Sequence, residues 1–323
     1  MITVAEHDIL TIGFFMPVGQ GEAFTGGAGM KKIVSIFKNK YGEIRSGWAI
    51  ILLGVVLFVT LVTVALAASF ITGDGARLFN LPIVDYPLLT AAVLLLFSII
   101  YKRPLNQMGF YADGWLKQLA FGGLFGIVLT TLIVVIMLLG GLIRFIDVNF
   151  DYLTGTLLWV GLLFFIGVGF FEETLARGFI MTAFKTTRNK WVIVLLSSLI
   201  FGLLHLAVPN ITLLSLANII IFGILFAYLF IKTGRLWAPI GIHITWNFVH
   251  GNILGSFTNQ ISPVSIFQIE VIGATWLTGG AFGLGGGIIF TLVALLSLAY
   301  VHFYVKHNKD FWRVDGDMPL TRY

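Results

Sequence analysis

The chain has 323 residues, of which 58% are hydrophobic and only 11% are charged, and its mean hydropathy is +0.97. Soluble domains carry about 25% charged and 45–50% apolar residues, so these values exclude a soluble globular protein, a disordered chain and a nucleic-acid-binding module. The sequence contains no cysteine, which excludes disulfides, thiolate metal sites and cysteine nucleophiles. The net charge of +5 is typical of a membrane protein, in which basic residues in the loops set the orientation.

Apolar runs of roughly 20 residues recur along the chain, which is the length needed to cross a bilayer core of about 30 Å. We predict an all-α fold, a polytopic membrane helical bundle with about eight transmembrane helices around an internal polar cavity. The predicted spans are 48–70, 82–101, 118–143, 154–184, 191–207, 211–231, 237–254 and 282–305. With this count nearly every Lys and Arg falls on one side, so the positive-inside rule places both termini in the cytoplasm.

The regions outside the spans differ in composition. Residues 1–29 contain no Lys or Arg and end in a Gly-rich stretch, so we interpret them as a flexible N-terminal extension. Met30 then starts a basic segment, and our hypothesis is that translation begins there and that 1–29 is dispensable. We expect 30–47 to be a cytoplasmic basic segment, 48–305 the transmembrane domain and 306–323 a cytoplasmic tail.

Glycines crowd residues 278–287, just before the last helix. This stretch lacks the preceding strand and the following Lys-Ser/Thr of a phosphate-binding loop. We therefore expect close helix packing or a flexible re-entry of the chain here.

Three groups of polar or ionisable residues stand out within the predicted spans. Each ionisable residue costs about 2.5–3.5 kcal/mol on insertion scales, which makes it a candidate functional residue. These residues are Glu172, Glu173 and Arg177 in span four, His205 in span five, and His243 and Asn247 in span seven. At 1.5 Å rise per residue, Glu172, His205 and Asn247 lie roughly 20, 22 and 18 Å from the nearest basic residue at the cytoplasmic end of their spans. The similar depths predict one shared polar site inside the bundle.

Helical angles separate two roles within span four. Glu173 and Arg177 are four residues apart and share a face, which favours an ion pair between them. An α-helix turns by about 100° per residue, so Glu172 points about 100° away from Glu173. Glu172 is therefore available to contact a residue other than Arg177. On span seven, His243 and Asn247 share one face and can converge on a single point.

Three further polar residues lie within predicted spans. His250 falls one turn beyond His243 on the same face, so it is an additional candidate for the site. His302 is interpreted as a residue near the membrane interface, and Asn218 as a hydrogen-bonding link between helices.

The residue types limit the chemistry. No Asp–His–Ser arrangement has a clearly placed intramembrane Ser, and the chain offers no pair of intramembrane Asp residues. Zinc could be held by Glu172, His205 and His243, although the HExxH spacing is missing. Without a metal, Glu172 can act as a base that activates water, while His243 and Asn247 donate hydrogen bonds to an oxyanion. Water-driven amide hydrolysis suits this set best.

At these positions the chain resembles the CPBP family of intramembrane endopeptidases, which includes type II CAAX prenyl proteases and bacteriocin-processing proteins. The family motifs EExxxR, FxxxH and HxxxN correspond to Glu172-Glu173 with Arg177, to Phe201 with His205, and to His243 with Asn247. The resemblance covers roughly residues 100–305, which would form the peptidase core. It implies that Glu172 and His205 activate water, that His243 and Asn247 form the oxyanion hole, and that Glu173 and Arg177 are supporting residues.

We therefore predict an intramembrane endopeptidase that cleaves a membrane-associated protein or peptide. Its partners would be that substrate and the lipid bilayer, with no nucleic acid, and its location a bacterial plasma membrane. No cofactor is expected; a divalent metal held by Glu172, His205 and His243 stays an open alternative. A non-peptidase reading also stays open, in which a proton-coupled transporter or a partner-binding scaffold uses the same cavity.

Overall fold

A computed structural model describes residues 35–39, 43–72, 82–255 and 265–306. The predicted extension 1–29 and all but the first residue of the tail 306–323 lie outside the described residues. The helices and strands discussed below all belong to the unit formed by residues 43–323.

Helices dominate the described residues. The longer helices are α1 (Ser46–Thr72), α2 (Pro82–Tyr101), α3 (Trp115–Leu139), α5 (Thr156–Glu173), α7 (Lys190–Leu204), α8 (Leu213–Thr233), α9 (Trp237–Phe248) and α11 (Ile288–Tyr304). Short helices α4 (Phe150–Thr154), α6 (Met181–Phe184) and α10 (Thr275–Thr278) connect them. The π-helical segments Thr174–Ile180 and Val249–Ile253 continue α5 and α9.

Each of the eight predicted spans contains a helix, which confirms the all-α helical-bundle class. Among the residues that the structure describes, five stretches are long and apolar enough to cross a membrane: Ser46–Phe70, Ile83–Tyr101, Trp115–Leu139, Thr156–Thr187 and Leu213–Thr233. Helices Lys190–Leu204 and Ile288–Tyr304 are apolar but shorter. The number of eight crossings stays a prediction.

The outer faces of the helices are apolar, as in a protein surrounded by lipid. Phe58 on α1, Leu95 on α2 and Leu292 on α11 are all more than half exposed. A water-soluble protein of this size would bury such side chains, because each exposed one forgoes about 1.5–3 kcal/mol of burial free energy. The chain is an integral, multi-pass membrane protein.

A two-stranded antiparallel ribbon was not predicted. Strand β1 (Ile143–Val148) pairs with β2 (Phe267–Val271), with an irregularity in register between Phe145 and Asp147. Span three therefore ends at Leu139 rather than at residue 143, and Gly140 caps it. The ribbon places Arg144 directly opposite Glu270, and the two side chains form a salt bridge. Opposite charges at facing positions favour strand pairing.

Small residues let α9 lie close against α3 and α5. A Cβ atom on Gly122 would clash with the Ala238 carbonyl, and one on Gly241 would clash with the Leu119 carbonyl. Across the other face of α9, a Cβ on Gly169 would lie 2.8 Å from Cγ1 of Ile244. Close backbone approach through small residues is typical of membrane helix pairs. These contacts fix where His243 stands relative to the two glutamates at the end of α5.

The hairpin α7–α8 brings the second motif to the same region. Asn189 caps α7 by accepting hydrogen bonds from the backbone N–H groups of Trp191 and Val192. Helix α7 ends at Leu204, earlier than the predicted 207, and His205 is its capping residue. Pro209 disfavours a helical conformation at Val208, so the chain does not resume the helix in the following turn. Thr212 and Ser215 then form a capping box that starts α8.

Candidate active site

Glu173 and Arg177 form an ion pair in the protein interior, as the four-residue spacing predicts. Both side chains are fully buried, and Arg177 Nη1 donates to Glu173 Oε1 over 2.8 Å. Nη2 of Arg177 donates to the Gly223 carbonyl over 3.0 Å. The guanidinium also lies over the Phe201 ring, 4.5 Å from its centroid. The Arg177 guanidinium is therefore contacted by Glu173 on its own helical stretch, by the backbone of α8 and by the Phe201 ring of α7.

His243 lies between the two glutamates. Its Nδ1 is 2.8 Å from Glu173 Oε1, and its Nε2 is 3.6 Å from Glu172 Oε2. A carboxylate oxygen accepts hydrogen bonds, so the network assigns the donated proton to Nδ1. The ring of His243 is thereby held with Nε2 directed at Glu172.

His205 approaches Glu172 from the end of α7. Its Nδ1 is 2.7 Å from the Phe201 carbonyl, which can only accept, so Nδ1 carries a proton and donates it. In the neutral ring Nε2 then holds a lone pair, and this atom lies 3.8 Å from Glu172 Oε2.

Glu172 Oε2 is thus bordered by two imidazole nitrogens at distances too long for direct hydrogen bonds. Within the part of the chain that the structure describes, this buried oxygen has no hydrogen-bond partner. A buried carboxylate oxygen without a hydrogen bond lowers the stability of the fold, unless another group donates a hydrogen bond to it. Polar atoms separated by more than 3.5 Å can be joined by a water that bonds to both from one side.

A cavity of about 450 Å³ opens beside these groups. Glu172, His205, His243 and Asn247 all line it, whereas Glu173 and Arg177 do not. Asn247 lies one helical turn after His243 on α9, so both reach the cavity from one helix face. The structure therefore brings together the four predicted site residues, with the ion pair Glu173–Arg177 behind them.

Aromatic side chains make up most of the remaining wall. They are Tyr86, Phe164, Phe165, Phe171, Phe201, Phe222, Phe226, Trp246, Phe282 and Phe290. Charged and dipolar groups act more strongly in such an apolar surrounding than in water, because the effective dielectric constant is lower.

The other polar candidates have different partners. His250 is buried, and its Nε2 accepts a hydrogen bond from the Leu284 backbone N–H over 3.0 Å. It lines the cavity, but its hydrogen bond goes to the backbone of the glycine-rich segment. His302 lies elsewhere, 2.9 Å from the Tyr228 hydroxyl. Asn218 joins α8 to the start of α11, as expected for an interhelical link, and also contacts the cavity.

Sequence reasoning missed two parts of the cavity wall. Tyr86 on α2 lines the cavity and is near enough to Glu172 to interact with it electrostatically. The only signal in the sequence is a hydroxyl-bearing aromatic within an otherwise apolar helix. Phe282 and Gly285 come from the glycine-rich segment, whose position beside the site no motif indicates.

The residues Glu172, His205 and His243 supply the oxygen and nitrogen donors that zinc prefers. Among the described residues, however, no three or more His, Cys, Asp or Glu side chains are arranged so as to hold a metal ion. The donor chemistry fits a metal, and the observed side-chain placement does not.

Residues 154–249 match the model of a protein family described as type II CAAX prenyl endopeptidase, Rce1-like. The matched segment contains all three motifs and both glutamates, and the match confirms the resemblance to the CPBP and CAAX protease family. It supports a CAAX-type intramembrane endopeptidase in general. No curated protein and no solved structure matches the chain.

Proposed function

We propose that this protein hydrolyses a peptide bond of a membrane-associated protein or peptide, and that Glu172 and His205 activate the attacking water. The segment that carries the motifs supports this proposal, because it matches the type II CAAX prenyl endopeptidases. The observation that carries the proposal is the position of Glu172 Oε2, 3.6 and 3.8 Å from two imidazole nitrogens on the wall of an apolar cavity.

Glu172 is the general base. A water molecule placed between Glu172 Oε2 and His205 Nε2 can donate a hydrogen bond to each, since both atoms have a lone pair. As the water oxygen attacks the peptide carbonyl carbon, one proton passes to Glu172. The C–N bond then breaks, and the same proton goes to the leaving amine. A positioned acid–base group of this kind contributes about 10²–10⁴-fold to a rate.

His243 and Asn247 stabilise the oxyanion. The Asn247 amide offers two N–H donors, and one oxyanion donor is worth about 2.7–4 kcal/mol in the transition state. His243 already donates from Nδ1 to Glu173. Donation from its Nε2 therefore requires the doubly protonated ring, which forms an ion pair with Glu173 in this arrangement. Glu173 is a positioning residue for His243, and Arg177 holds Glu173 in place.

The cavity favours an apolar segment of substrate. A peptide bond entering it meets a wall in which aromatic and aliphatic side chains outnumber the polar ones. Exclusion of bulk water strengthens the interaction of the donors with developing charge. We propose a bacterial plasma membrane as the location. Both termini would lie in the cytoplasm, since the basic loops fall on one side of the predicted spans.

The test is cleavage of a quenched membrane-peptide library by the purified protein in detergent. Wild type is compared with Glu172→Gln, which keeps side-chain volume but removes the base, and with Glu270→Gln as a matched acid-to-amide control in the ribbon. We expect cleavage by wild type and Glu270→Gln, loss in Glu172→Gln, and no effect of a strong chelator.

Other outcomes overturn parts of the proposal. Full activity of Glu172→Gln would remove Glu172 from its role. Chelator-sensitive cleavage would assign Glu172, His205 and His243 to a metal centre. No cleavage of any peptide, combined with proton-coupled uptake in proteoliposomes, would favour the transporter.

A further inference from the structure

The glycine-rich segment between α10 and α11 forms part of the cavity wall, although it lies outside the residues matched by the family. Phe282 and Gly285 both line the cavity. The segment consists of two short 3₁₀ turns, Gly280–Phe282 and Leu284–Gly286, so the chain does not start its last helix until Ile288.

Buried side chains of two other helices hold this segment in place. Asn218 on α8 donates to the carbonyls of Gly285 and Gly287, each over 2.9 Å. Its Oδ1 accepts from the Thr291 hydroxyl over 2.6 Å. His250 accepts from the Leu284 N–H over 3.0 Å. A buried polar network that satisfies its members rigidifies the backbone that it joins.

Most glycines of the segment are required by the backbone. Gly279 and Gly283 have φ values of 97° and 98°, in the region that disfavours other residues. A Cβ on Gly287 would clash with the Leu277 carbonyl, and one on Gly286 would lie 3.0 Å from the Gly279 Cα.

Gly285 differs from these neighbours. Its φ is not in the left-handed region, and the nearest atoms to a Cβ would be in the Trp246 ring at 3.5 Å and the Phe282 ring at 3.9 Å. Both distances are ordinary van der Waals contacts. The backbone therefore tolerates a side chain at 285, and that side chain would occupy cavity space beside Trp246.

We infer that Gly285 is a specificity-determining residue, whose missing side chain leaves room for a large apolar group of the substrate beside Trp246 and Phe282. The inference rests on the proposed endopeptidase function. Asn218 acts as a positioning residue, because it fixes the carbonyl of Gly285 and with it the depth of the cavity.

The substrate probes are quenched peptides that differ only at one position beside the cleaved bond, which holds Ala, Leu or Phe. Gly285→Val should lower kcat/KM for the Phe peptide at least about tenfold and for the Ala peptide no more than about threefold, since one methylene in an apolar pocket changes discrimination about 10–200-fold. Gly285→Ala should give a smaller shift of the same sign.

Gly54→Val is the matched control, because Gly54 is exposed on α1 and has no atom within 4 Å of its Cβ position. It should leave the preference among the three peptides unchanged. An equal loss for all peptides in both Gly285 variants, or the same shift in Gly54→Val, would overturn the inference.

Binding measured without cleavage separates this inference from the proposed function. In the Glu172→Gln background, the Phe peptide should raise the Tm more than the Ala peptide, and Gly285→Ala and Gly285→Val should reduce that difference stepwise. An unchanged difference would refute the role of Gly285 even if wild type cleaves. Failure of wild type to cleave, with the size-dependent binding intact, would refute only the peptidase function.

Discussion

Nδ1 of His243 lies 2.8 Å from Oε1 of Glu173, and the same oxygen accepts a hydrogen bond from Arg177. Glu173 therefore connects a buried cation on its own helix to an imidazole on α9. Through the other nitrogen of His243, this chain of contacts reaches Glu172 at 3.6 Å. The second glutamate of the motif thus has a defined task in orienting the ring that faces the first.

Arg177→Ala should destabilise the protein strongly. Removing one member of a buried ion pair leaves the other uncompensated, which costs about 3–5 kcal/mol. Here Glu173 would lose Arg177, and the Gly223 carbonyl would lose its donor. We expect a lower yield and a lower Tm in detergent, measured by thermal unfolding.

Arg177→Ala combined with Glu173→Ala serves as the control for this prediction. Because the double variant leaves no buried unpaired charge, it should recover part of the lost stability. Wild-type stability of Arg177→Ala would contradict the structural role of the pair.

Glu173→Gln should lower kcat and leave KM nearly unchanged. Glu173 does not line the cavity, so it makes no contact that a bound peptide would need. The neutral amide no longer provides the negative charge that pairs with the doubly protonated His243 ring, the form required for donation from Nε2. At histidines that bind a metal, loss of the orienting partner costs about 10–100-fold, and we expect a loss of kcat of that order here.

Steady-state kinetics of Glu173→Gln measures kcat and KM separately. Elution as a single species in size-exclusion chromatography checks that the variant is folded. Wild-type kcat, or a large rise in KM alone, would show that Glu173 does not act through His243.

The link between Asp113 and Arg235 should give a pH-dependent stability. Arg235 donates a hydrogen bond to Asp113 and holds the pKa of that carboxyl below its usual value of 3.8. Because the pKa of Asp113 is lower in the folded than in the unfolded protein, its interaction with Arg235 contributes fully to stability above the unfolded-state pKa. This contribution is lost as the pH falls through the folded-state pKa.

The Tm difference between wild type and Asp113→Asn should thus be constant near neutral pH and disappear in strong acid. It should be small and should shrink with added salt, because Asp113 is largely exposed. A difference that grows as the pH falls would have the wrong sign for this interaction.

The sequence predicted the meeting of Glu172, His205 and His243 because it depends on two regular quantities, helical rise and helical angle. Depth along three spans and the 100° turn between Glu172 and Glu173 were enough to separate the cavity face from the ion-pair face. The contact between His243 and Glu173 was not predictable in this way. It depends on how closely α9 approaches α5, and the contact of Gly169 with Ile244 sets that distance.

Features that arise from long-range packing were also missed. Span three was predicted to end at residue 143, and only the pairing of 143–148 with 267–271 reveals the strand that follows it. Gly285 and Tyr86 join the site from segments distant in sequence, and neither has a pattern of its own. The catalytic roles of Glu172, His205, His243 and Asn247 stay predictions, as do the eight crossings and the position of the termini.

A single-turnover reaction in water enriched in oxygen-18 tests the central claim most directly. Enzyme in excess over a peptide that it cleaves is quenched within the first turnover, and the new carboxylate is analysed by mass spectrometry. Direct attack by a water held at Glu172 predicts one oxygen-18 in that carboxylate and none in Glu172. Unlabelled product with the label in Glu172 would show that the carboxylate itself attacks the peptide, and would contradict the account.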